Sequence, residues 1–348
     1  MNFFTQIEPA PSGILLHTDS RITALGSCFA QVIGQRLAYY KWPVVLNPLG
    51  VLFHPLALHD LIKRALLLDE FTENDLFDYK GRYSILALHG QYSSQDPKTL
   101  LTQANSDLKI LRDGLTKATH LLITLGTAWA YQKSENDLLV GNCHKLPGSL
   151  FNKKLLCVAE IQEAVAQIIG LMAQYNAEAQ LIFSVYPVRH TKDGLVQNSL
   201  GKAHLITGLH AALNQVNKEP SAPKYFPAYE LMMDQLRDYR FYKSDLIHPN
   251  DQGEEVVWDF FKDHWIDPEL EAVLGQIQSI QQGLAHRPLH PDSQRFLLRE
   301  TPDKGRIRRA LQMQMQLNFR KCFPAHKKFL PCPCATTPKC AATVAATS

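Results

Sequence analysis

The stretch RITALGSCFA, residues 21–30, decides how this chain is predicted to fold. Its first half, Arg21–Leu25, is a short and mostly apolar run that predicts a buried strand. From Phe29 to Leu37 the apolar residues recur at spacings of three and four, which predicts a helix with one buried face. Ser27 and Cys28 therefore lie on a strand-to-helix turn, at the N-terminus of that helix.

Strands and helices alternate further along the chain. Apolar runs at Leu121–Leu125 and Leu181–Tyr186 predict two more strands, and Lys224–Phe226 predicts a shorter one. Helical patterns lie between them, and the best marked begins at Asp96-Pro97, where Asp suits the N-cap and Pro the first helical position. This alternation predicts a parallel sheet with helices on both faces, and a functional site beyond the carboxyl ends of its strands.

Other regions depart from this alternation. Residues 69–95 show no clear pattern and are expected to form loops. After residue 266 the strand pattern stops, and Glu269–Leu284 and Arg306–Phe319 predict helices. We therefore divide the chain into an α/β domain (1–265), a helical C-terminal extension (266–321) and a tail rich in Cys, Pro and Ala that is predicted to be disordered (322–348).

The composition indicates a globular protein whose charge is nearly balanced. Its 36 Lys and Arg residues oppose 33 Asp and Glu residues, which gives a formal charge of +3. This balance argues against a nucleic-acid partner bound mainly through phosphate contacts. No apolar run reaches the roughly 18 residues that a membrane-spanning helix needs, and no signal-peptide pattern is visible. We therefore expect neither nucleic acid nor membrane as a partner.

Cysteine usage predicts a cytoplasmic protein without a disulfide framework. The α/β body holds only Cys28, Cys143 and Cys157, an odd number at wide spacing, and the other four cysteines follow residue 321. Neither Cys143-His144 nor Cys332-Pro333-Cys334 has a second pair at the spacing of zinc ligands. We therefore expect no metal site, and no feature of the sequence calls for an organic cofactor.

Two segments carry residue types that suit nucleophilic catalysis. A thiol at Cys28 would lie at a helix N-terminus, where unpaired amides and the helix dipole favour negative charge. Far downstream, Asp245 precedes His248 by three residues, so its carboxylate could bind one imidazole nitrogen while the other faces a nucleophile. The structural alternatives are a buried, packed cysteine and an aspartate that only caps a turn.

Several stretches together resemble one known family. GSCFA at residues 26–30 is the name motif of the GSCFA family, a branch of the SGNH/GDSL hydrolase superfamily. Further stretches similar to that family, within about residues 5 to 265, are NPLG at 47–50, LGTAW at 125–129, NCHKLP at 142–147, VRH at 188–190 and RDYRFY at 237–242. The resemblance implies a flavodoxin-like, three-layer α/β/α fold.

The resemblance also implies catalytic roles. His248 resembles the catalytic histidine of SGNH enzymes, and Asp245 resembles its acidic partner. These enzymes read Gly-Asp-Ser at the first strand end, so Cys28 fills the nucleophile position. Ser27, one residue earlier, fills the Asp position and is the alternative nucleophile.

The implied oxyanion hole departs from the superfamily. The amide of Cys28 and the amide of Gly50 stand where SGNH enzymes place two donors. The third donor of those enzymes is an Asn that follows a strand-end Gly, and this chain has Thr127 there. Thr127 itself or Asn142 could substitute.

Substrate contacts are predicted at two further strand ends. Arg189 and His190 could bind an anionic or polar group of a substrate, although a surface ion pair explains them as well. Trp129 is expected to line the same site. Cys143-His144 is expected to pack as part of a wall and not to bind metal.

These observations predict a hydrolase or acyltransferase that acts on the ester or thioester of a small molecule or saccharide. The alternative is a non-catalytic carbohydrate- or acyl-binding protein on the same fold. The thiol in the serine position and the missing Asn motivate this alternative.

The tail gives the first testable prediction. Residues 330–348 contain few large apolar side chains, so deleting them is expected to leave the melting temperature nearly unchanged. Thermal unfolding of the full-length and truncated proteins measures the difference. A fall of several degrees would show that the tail packs on the body and that the boundary is misplaced.

Overall fold

The structure, a computed structural model, describes residues 5–8, 13–216 and 222–285. Its strands are Ile22–Gly26 (β1), Val44–Leu46 (β2), Leu76–Tyr79 (β3), Arg82–Ile85 (β4), Ser93–Ser94 (β5), His120–Leu125 (β6), Trp129–Lys133 (β7), Leu139–Val140 (β8), Phe151–Leu155 (β9), Gln180–Val185 (β10) and Lys224–Phe226 (β11). Its α-helices are Cys28–Tyr39 (α1), Pro55–Leu67 (α2), Pro97–Lys117 (α3), Val158–Tyr175 (α4), Leu195–Val216 (α5), Ala228–Glu230 (α6), Asp251–Trp265 (α7) and Glu271–Ala285 (α8).

A parallel sheet of five strands forms the centre, in the order β2-β1-β6-β10-β11. Gly26 at the end of β1 pairs with Thr124 of β6, and Leu125 of β6 pairs with Val185 of β10. Every residue of β1 and β6 is buried, as expected for strands covered on both faces. This strand order is that of flavodoxin-like folds, and it confirms the predicted α/β fold class.

Helices cover both faces of the sheet. On one face, Leu25, Ile123 and Phe183 join a single apolar core with side chains of α2, α3, α4 and α5. On the other face lie α1 and α7, where the ring of Phe226 stacks on Phe29 at 6.1 Å and meets Phe261 edge-on at 5.3 Å. Successive side chains along each strand point to opposite faces of the sheet and thus contribute to two separate apolar layers.

Helix α3 shows how closely local sequence dictates local structure. The Asp96 carboxylate accepts hydrogen bonds from the amides of Lys98 and Thr99 at 3.1 and 3.2 Å, so the predicted N-cap is confirmed. All members of the predicted apolar stripe are buried, namely Leu100, Ala104, Leu108, Leu111 and Leu115.

Two small antiparallel sheets, β3-β4-β5 and β8-β7-β9, lie beside the central one. The first occupies part of residues 69–95, so the prediction of loops there was wrong. Its strands mix buried, half-buried and exposed residues, and β5 has only two residues, Ser93 and Ser94. Such strands are held by cross-strand pairing and leave no apolar run in the sequence.

The C-terminal part is described only as far as Ala285. One compact unit ends at Ala272, and a second begins at Val273, within α8. The predicted helix at Arg306–Phe319 and the tail from residue 322, with its four cysteines, lie outside the described residues. Among the described helices, none is long and apolar enough to cross a membrane.

The turn after β1 depends on glycine at position 26. Gly26 has φ of +115°, and a Cβ there would lie 2.2 Å from the carbonyl oxygen of Thr124. Hydrogen bonds hold the turn on both sides, because the Gly26 amide donates to Asn47 Oδ1 at 2.9 Å and the Ser27 amide donates to Thr124 O at 3.0 Å. Neither the backbone conformation nor the available space admits a side chain.

The second prediction concerns the need for glycine in this turn. Gly26→Ala is expected to lower the free energy of unfolding by about 3–5 kcal/mol, because backbone strain and a clash with the sheet backbone add together. Urea unfolding measures the loss.

Gly81→Ala is the matched control for that substitution. Gly81 also has a positive φ, +77°, but a Cβ there would meet nothing within 4 Å. Only the strain remains, so we expect a loss of about 1–2 kcal/mol. Equal losses in the two variants would contradict the packing argument.

Candidate active site

Helix α1 begins at Cys28, and Ser27 caps it. Ser27 is fully buried, and its Oγ accepts a hydrogen bond from the amide of Phe29 at 3.3 Å. Cys28, in contrast, is exposed and carries a free thiol. Within the described part of the chain, the Cys28 amide has no hydrogen-bond acceptor. The turn therefore leaves Cys28 at the surface and directs the serine hydroxyl inward.

The predicted pair of Asp245 and His248 is formed. Asp245 Oδ2 lies 2.7 Å from His248 Nδ1, and Oδ1 accepts the amides of Ile247 and His248 at 2.9 and 3.0 Å. Asp245 therefore both caps the turn and contacts the imidazole, so the two alternatives drawn from the sequence occur together.

The same hydrogen bonds decide which atom donates in the contact between Asp245 and His248. The amides of His248 and Ile247, together with the imidazole, lower the pKa of Asp245 to about 2. Asp245 is therefore an ionised carboxylate at neutral pH and can only accept hydrogen bonds. His248 Nδ1 is therefore the donor in the 2.7 Å contact, and Nε2 is left to face another group.

A tight loop holds this pair. The Lys243 amide donates to the carbonyl of His248 at 2.8 Å, and Leu246 takes the left-handed conformation, with φ of +59°. Asn250 then caps α7, because its Oδ1 accepts the Gly253 amide at 3.0 Å, while its Nδ2 donates to the Arg240 carbonyl at 2.7 Å. The loop is thus fixed to the start of the last domain helix.

Tyr186, the residue after β10, connects the two halves of the site. Burial raises the pKa of its phenol, and the neighbouring Cys28 thiol raises it further through charge and hydrogen bonding. The carboxylates of Glu254 and Asp245 act in the same direction, so both lie within electrostatic range of Tyr186. Tyr186 therefore keeps its proton at neutral pH and can donate it to a nearby anion.

The direct contact between His248 and the nucleophile stays a prediction. Within the described residues, no hydrogen bond joins His248 to Cys28 or to Ser27. Catalytic hydrogen bonds often form or tighten only when substrate binds.

Two predicted oxyanion donors are engaged in loop structure. The Gly50 amide donates to the Asn47 carbonyl at 2.8 Å, and the Thr127 amide donates to the Phe53 carbonyl at 3.2 Å. The Thr127 hydroxyl accepts the Trp129 amide at 3.0 Å. For Gly50 or Thr127 to donate its amide to an oxyanion, these loop bonds would have to open.

Asn142 also forms hydrogen bonds within its own loop region. Its backbone amide donates to the Leu86 carbonyl at 3.1 Å, and its Oδ1 accepts the His144 amide at 2.8 Å. His144 Nε2 lies 3.0 and 3.1 Å from the carbonyl oxygens of Ile85 and Leu88, and burial lowers the pKa of its imidazole. Of the four backbone amides, only that of Cys28 has no acceptor in the described chain, and the side-chain Nδ2 of Asn142 has none there either.

Arg189 stands beside the loop that carries Asp245 and His248. Its guanidinium lies 5.8 Å from the ring of Tyr242, and its charge opposes the rise that burial causes in the pKa of that phenol. Among the described residues it forms no salt bridge, so the surface ion pair considered from the sequence is not formed there.

His190 and Trp129 are anchored close by. The His190 ring lies 5.5 Å from the ring of Tyr186, and its amide donates to Asn198 Oδ1 at 2.9 Å. Trp129 Nε1 donates to the carbonyl of Gln197 at 3.0 Å, which ties it to α5. Both residues therefore lie around the carboxyl ends of β6 and β10.

Sequence reasoning missed two residues of this region, Tyr186 and Lys202. Tyr186 was assigned to a strand although it directly follows β10, at the sheet edge where a site is expected. Lys202 lies on the buried face of α5, three residues before Leu205. A lysine within an apolar stripe is a signal that could have been read from the sequence.

Other features of the described chain do not belong to this site. A cavity of about 490 Å³ lies among α2, β3 and β8, and none of the predicted site residues lines it. His54 borders that cavity, but its Nδ1 accepts the Ala57 amide and its Nε2 contacts the Val140 carbonyl. In the described ranges, no group of three or more His, Cys, Asp or Glu side chains could hold a metal ion.

Fold and site together define a class of protein. It is a flavodoxin-like α/β/α protein with a thiol at the first strand-to-helix turn and an Asp–His pair just before the last helix of the domain. The sequence profile of the GSCFA family matches residues 21–261, and the chain belongs to this family. No curated protein matches the chain.

The third prediction concerns the loop at residues 245–248. The lowered pKa of Asp245 means that its contribution is fully present above about pH 4 and is lost as the pH falls through about 2. We therefore expect the Ile247 and His248 amides to stay protected from hydrogen exchange between pH 7 and pH 4. Exchange followed by mass spectrometry measures this protection.

Two variants complete that measurement. Asp245→Ala should remove the protection at every pH, because both amides lose their acceptor. Asp238→Ala is the control, since Asp238 is also exposed and also accepts an amide, that of Arg240 at 2.8 Å. Protection of residues 247–248 that survives in Asp245→Ala would refute the assigned hydrogen bonds.

Proposed function

We propose that this protein catalyses acyl transfer with Cys28 as the nucleophile. The reaction is hydrolysis of an ester or thioester, or transfer of its acyl group to an acceptor hydroxyl. One observation carries the proposal: the Cys28 thiol is exposed at the N-terminus of α1, while the adjacent Ser27 is buried as the helix cap. That arrangement favours Cys28 over Ser27 as the nucleophile.

The first half of the reaction forms an acyl-enzyme. His248 Nε2 takes the proton of the Cys28 thiol, and the sulfur attacks the acyl carbon to form a tetrahedral intermediate. His248 then gives this proton to the leaving alcohol or thiol as the bond to the acyl carbon breaks. Asp245 holds the imidazole and stabilises it while it is charged.

The second half regenerates the thiol. Water or an acceptor hydroxyl attacks the acyl carbon, and His248 accepts its proton. The intermediate collapses, sulfur leaves, and the proton returns to it. No metal or organic cofactor takes part in these steps.

The negative charge that develops on the substrate oxygen needs hydrogen-bond donors in the site. The Cys28 amide points from the helix N-terminus and has no acceptor in the described chain. Tyr186 keeps its proton and lies against the Cys28 thiol, so it is suited to supply a second donor. We assign Tyr186 this role because the amides of Gly50 and Thr127 are engaged elsewhere.

Arg189, His190 and Trp129 are proposed to contact the substrate. Arg189 has no carboxylate partner in the described chain and lies next to Tyr242, which supports recognition of an anionic or polar group. A small-molecule or saccharide acyl ester fits this description.

The free cysteines of the described chain accord with the cytoplasmic location expected from the sequence.

A second candidate function is binding without turnover. The engagement of the backbone amides of Gly50 and Thr127 favours it, because a hole with few donors would stabilise the intermediate weakly. Such a protein would hold a carbohydrate or an acyl group at the same strand ends.

The fourth prediction separates the nucleophiles and the functions. On a panel of short activated acyl esters and thioesters, the wild type is expected to form a covalent acyl-enzyme that intact-mass spectrometry detects. Cys28→Ala should abolish the adduct, because no sulfur remains to attack. Turnover measured on the same panel should fall by at least about a hundredfold.

Ser27→Ala is the matched control one residue away. It should keep the adduct and lose only about 1 kcal/mol of stability with the helix cap. The reverse pattern would move the nucleophile to Ser27. Wild-type activity in both variants would remove acyl transfer from this site, and binding of the esters without turnover would establish the second candidate.

A further inference from the structure

Lys202 is a buried cation at the floor of the site. The residue is 3% exposed, on the inner face of α5. Its Nζ donates to the carbonyl of Gly126 at 2.7 Å and to the carbonyl of Tyr186 at 2.8 Å. One ammonium group therefore joins the first residues beyond two neighbouring strands, β6 and β10.

The charge of Lys202 has no direct counter-ion. Among the described residues no carboxylate forms a salt bridge with it, and Glu230, which acts on it from a distance, accepts the Tyr225 hydroxyl at 2.8 Å. Burial lowers the pKa of Lys202 to about 7. The rings of Tyr186 and Tyr229, at 5.6 and 5.3 Å from Nζ, compensate for part of the lost hydration.

A buried ammonium group is costly, and an apolar side chain would fill the same volume more cheaply. What Lys202 adds is the connection between two walls of the site. One carbonyl belongs to Tyr186, whose hydroxyl lies against the Cys28 thiol. The other belongs to Gly126, which begins the loop to Trp129 and whose amide donates to the Phe53 carbonyl at 2.6 Å.

We propose that Lys202 is a positioning residue of the Cys28 site, which fixes the ends of β6 and β10 and thereby holds Tyr186 against the thiol. The inference deepens the proposed function and rests on it for the role of Cys28. Lys202 acts through Tyr186 and not on substrate, because its ammonium is enclosed by α5 and the two strand ends.

The fifth prediction concerns the reactivity of the Cys28 thiol. Iodoacetamide labelling is followed peptide by peptide from pH 5 to pH 9, with the exposed Cys157 of the same molecule as internal reference. Lys202→Met is expected to slow labelling of Cys28 about tenfold at pH 7 and to move its pH midpoint upward by about one unit. Cys157 should label at its wild-type rate.

Three variants control this measurement. Lys117→Met replaces an exposed lysine and should change neither cysteine. Lys202→Arg keeps the charge and should lie between the wild type and Lys202→Met. In a Tyr186→Phe background, the change from Lys202 to Arg should have no further effect on Cys28, because the phenol it positions is gone.

The outcomes separate this inference from the proposed function. If Lys202→Met folds and its Cys28 labels at the wild-type rate with the wild-type pH midpoint, the positioning role of Lys202 is overturned. If Lys202→Met does not fold, full additivity of Lys202→Arg and Tyr186→Phe would overturn it instead. A wild-type Cys28 that labels no faster than Cys157 would count against the proposed function, whereas a selective effect of Lys202 would still support positioning.

Discussion

The close approach of Gly26 to the carbonyl of Thr124 is the constraint on which the site depends. Gly26 has no side chain, so its backbone can lie against that carbonyl and adopt a positive φ. The chain therefore turns sharply at the end of β1 and begins α1 two residues later. The turn gives Ser27 and Cys28 opposite surroundings, since one caps the helix from inside and the other begins it on the surface. The chemical difference between two adjacent residues therefore follows from a backbone contact.

The second half of the site is built by local hydrogen bonds. Asp245 holds two amides and one imidazole within four residues, so this loop needs little from the sheet to keep its shape. The first half, in contrast, is held by long-range contacts of β1 with β6 and with Asn47. Tyr186 responds to both halves, because the Cys28 thiol and the Asp245 carboxylate each raise the pKa of its phenol.

Local patterns in the sequence predicted what depends on local chemistry. The cap at Asp96, the stripe of α3 and the Asp245–His248 pair all follow from spacing within a few residues. The sequence did not predict β3–β5, because short half-polar strands owe their existence to partners that meet only after folding. For the same reason the engaged amide of Thr127 could not be anticipated, since its acceptor, Phe53, is distant in the sequence, whereas the Gly50 amide bonds to Asn47 within one local turn.

A thiol suits a site with few oxyanion donors. When a serine attacks, its proton must leave as negative charge develops, so the site has to stabilise a newly separated pair of charges. A thiolate already carries that charge, and attack only moves it from sulfur to oxygen. In the proposed reaction, the helix N-terminus at Cys28 and the retained proton of Tyr186 would stabilise negative charge first on sulfur and then on oxygen. The proposed use of cysteine as the nucleophile is therefore consistent with the engaged amides of Gly50 and Thr127, and under that proposal we expect acyl groups with good leaving groups, such as thioesters.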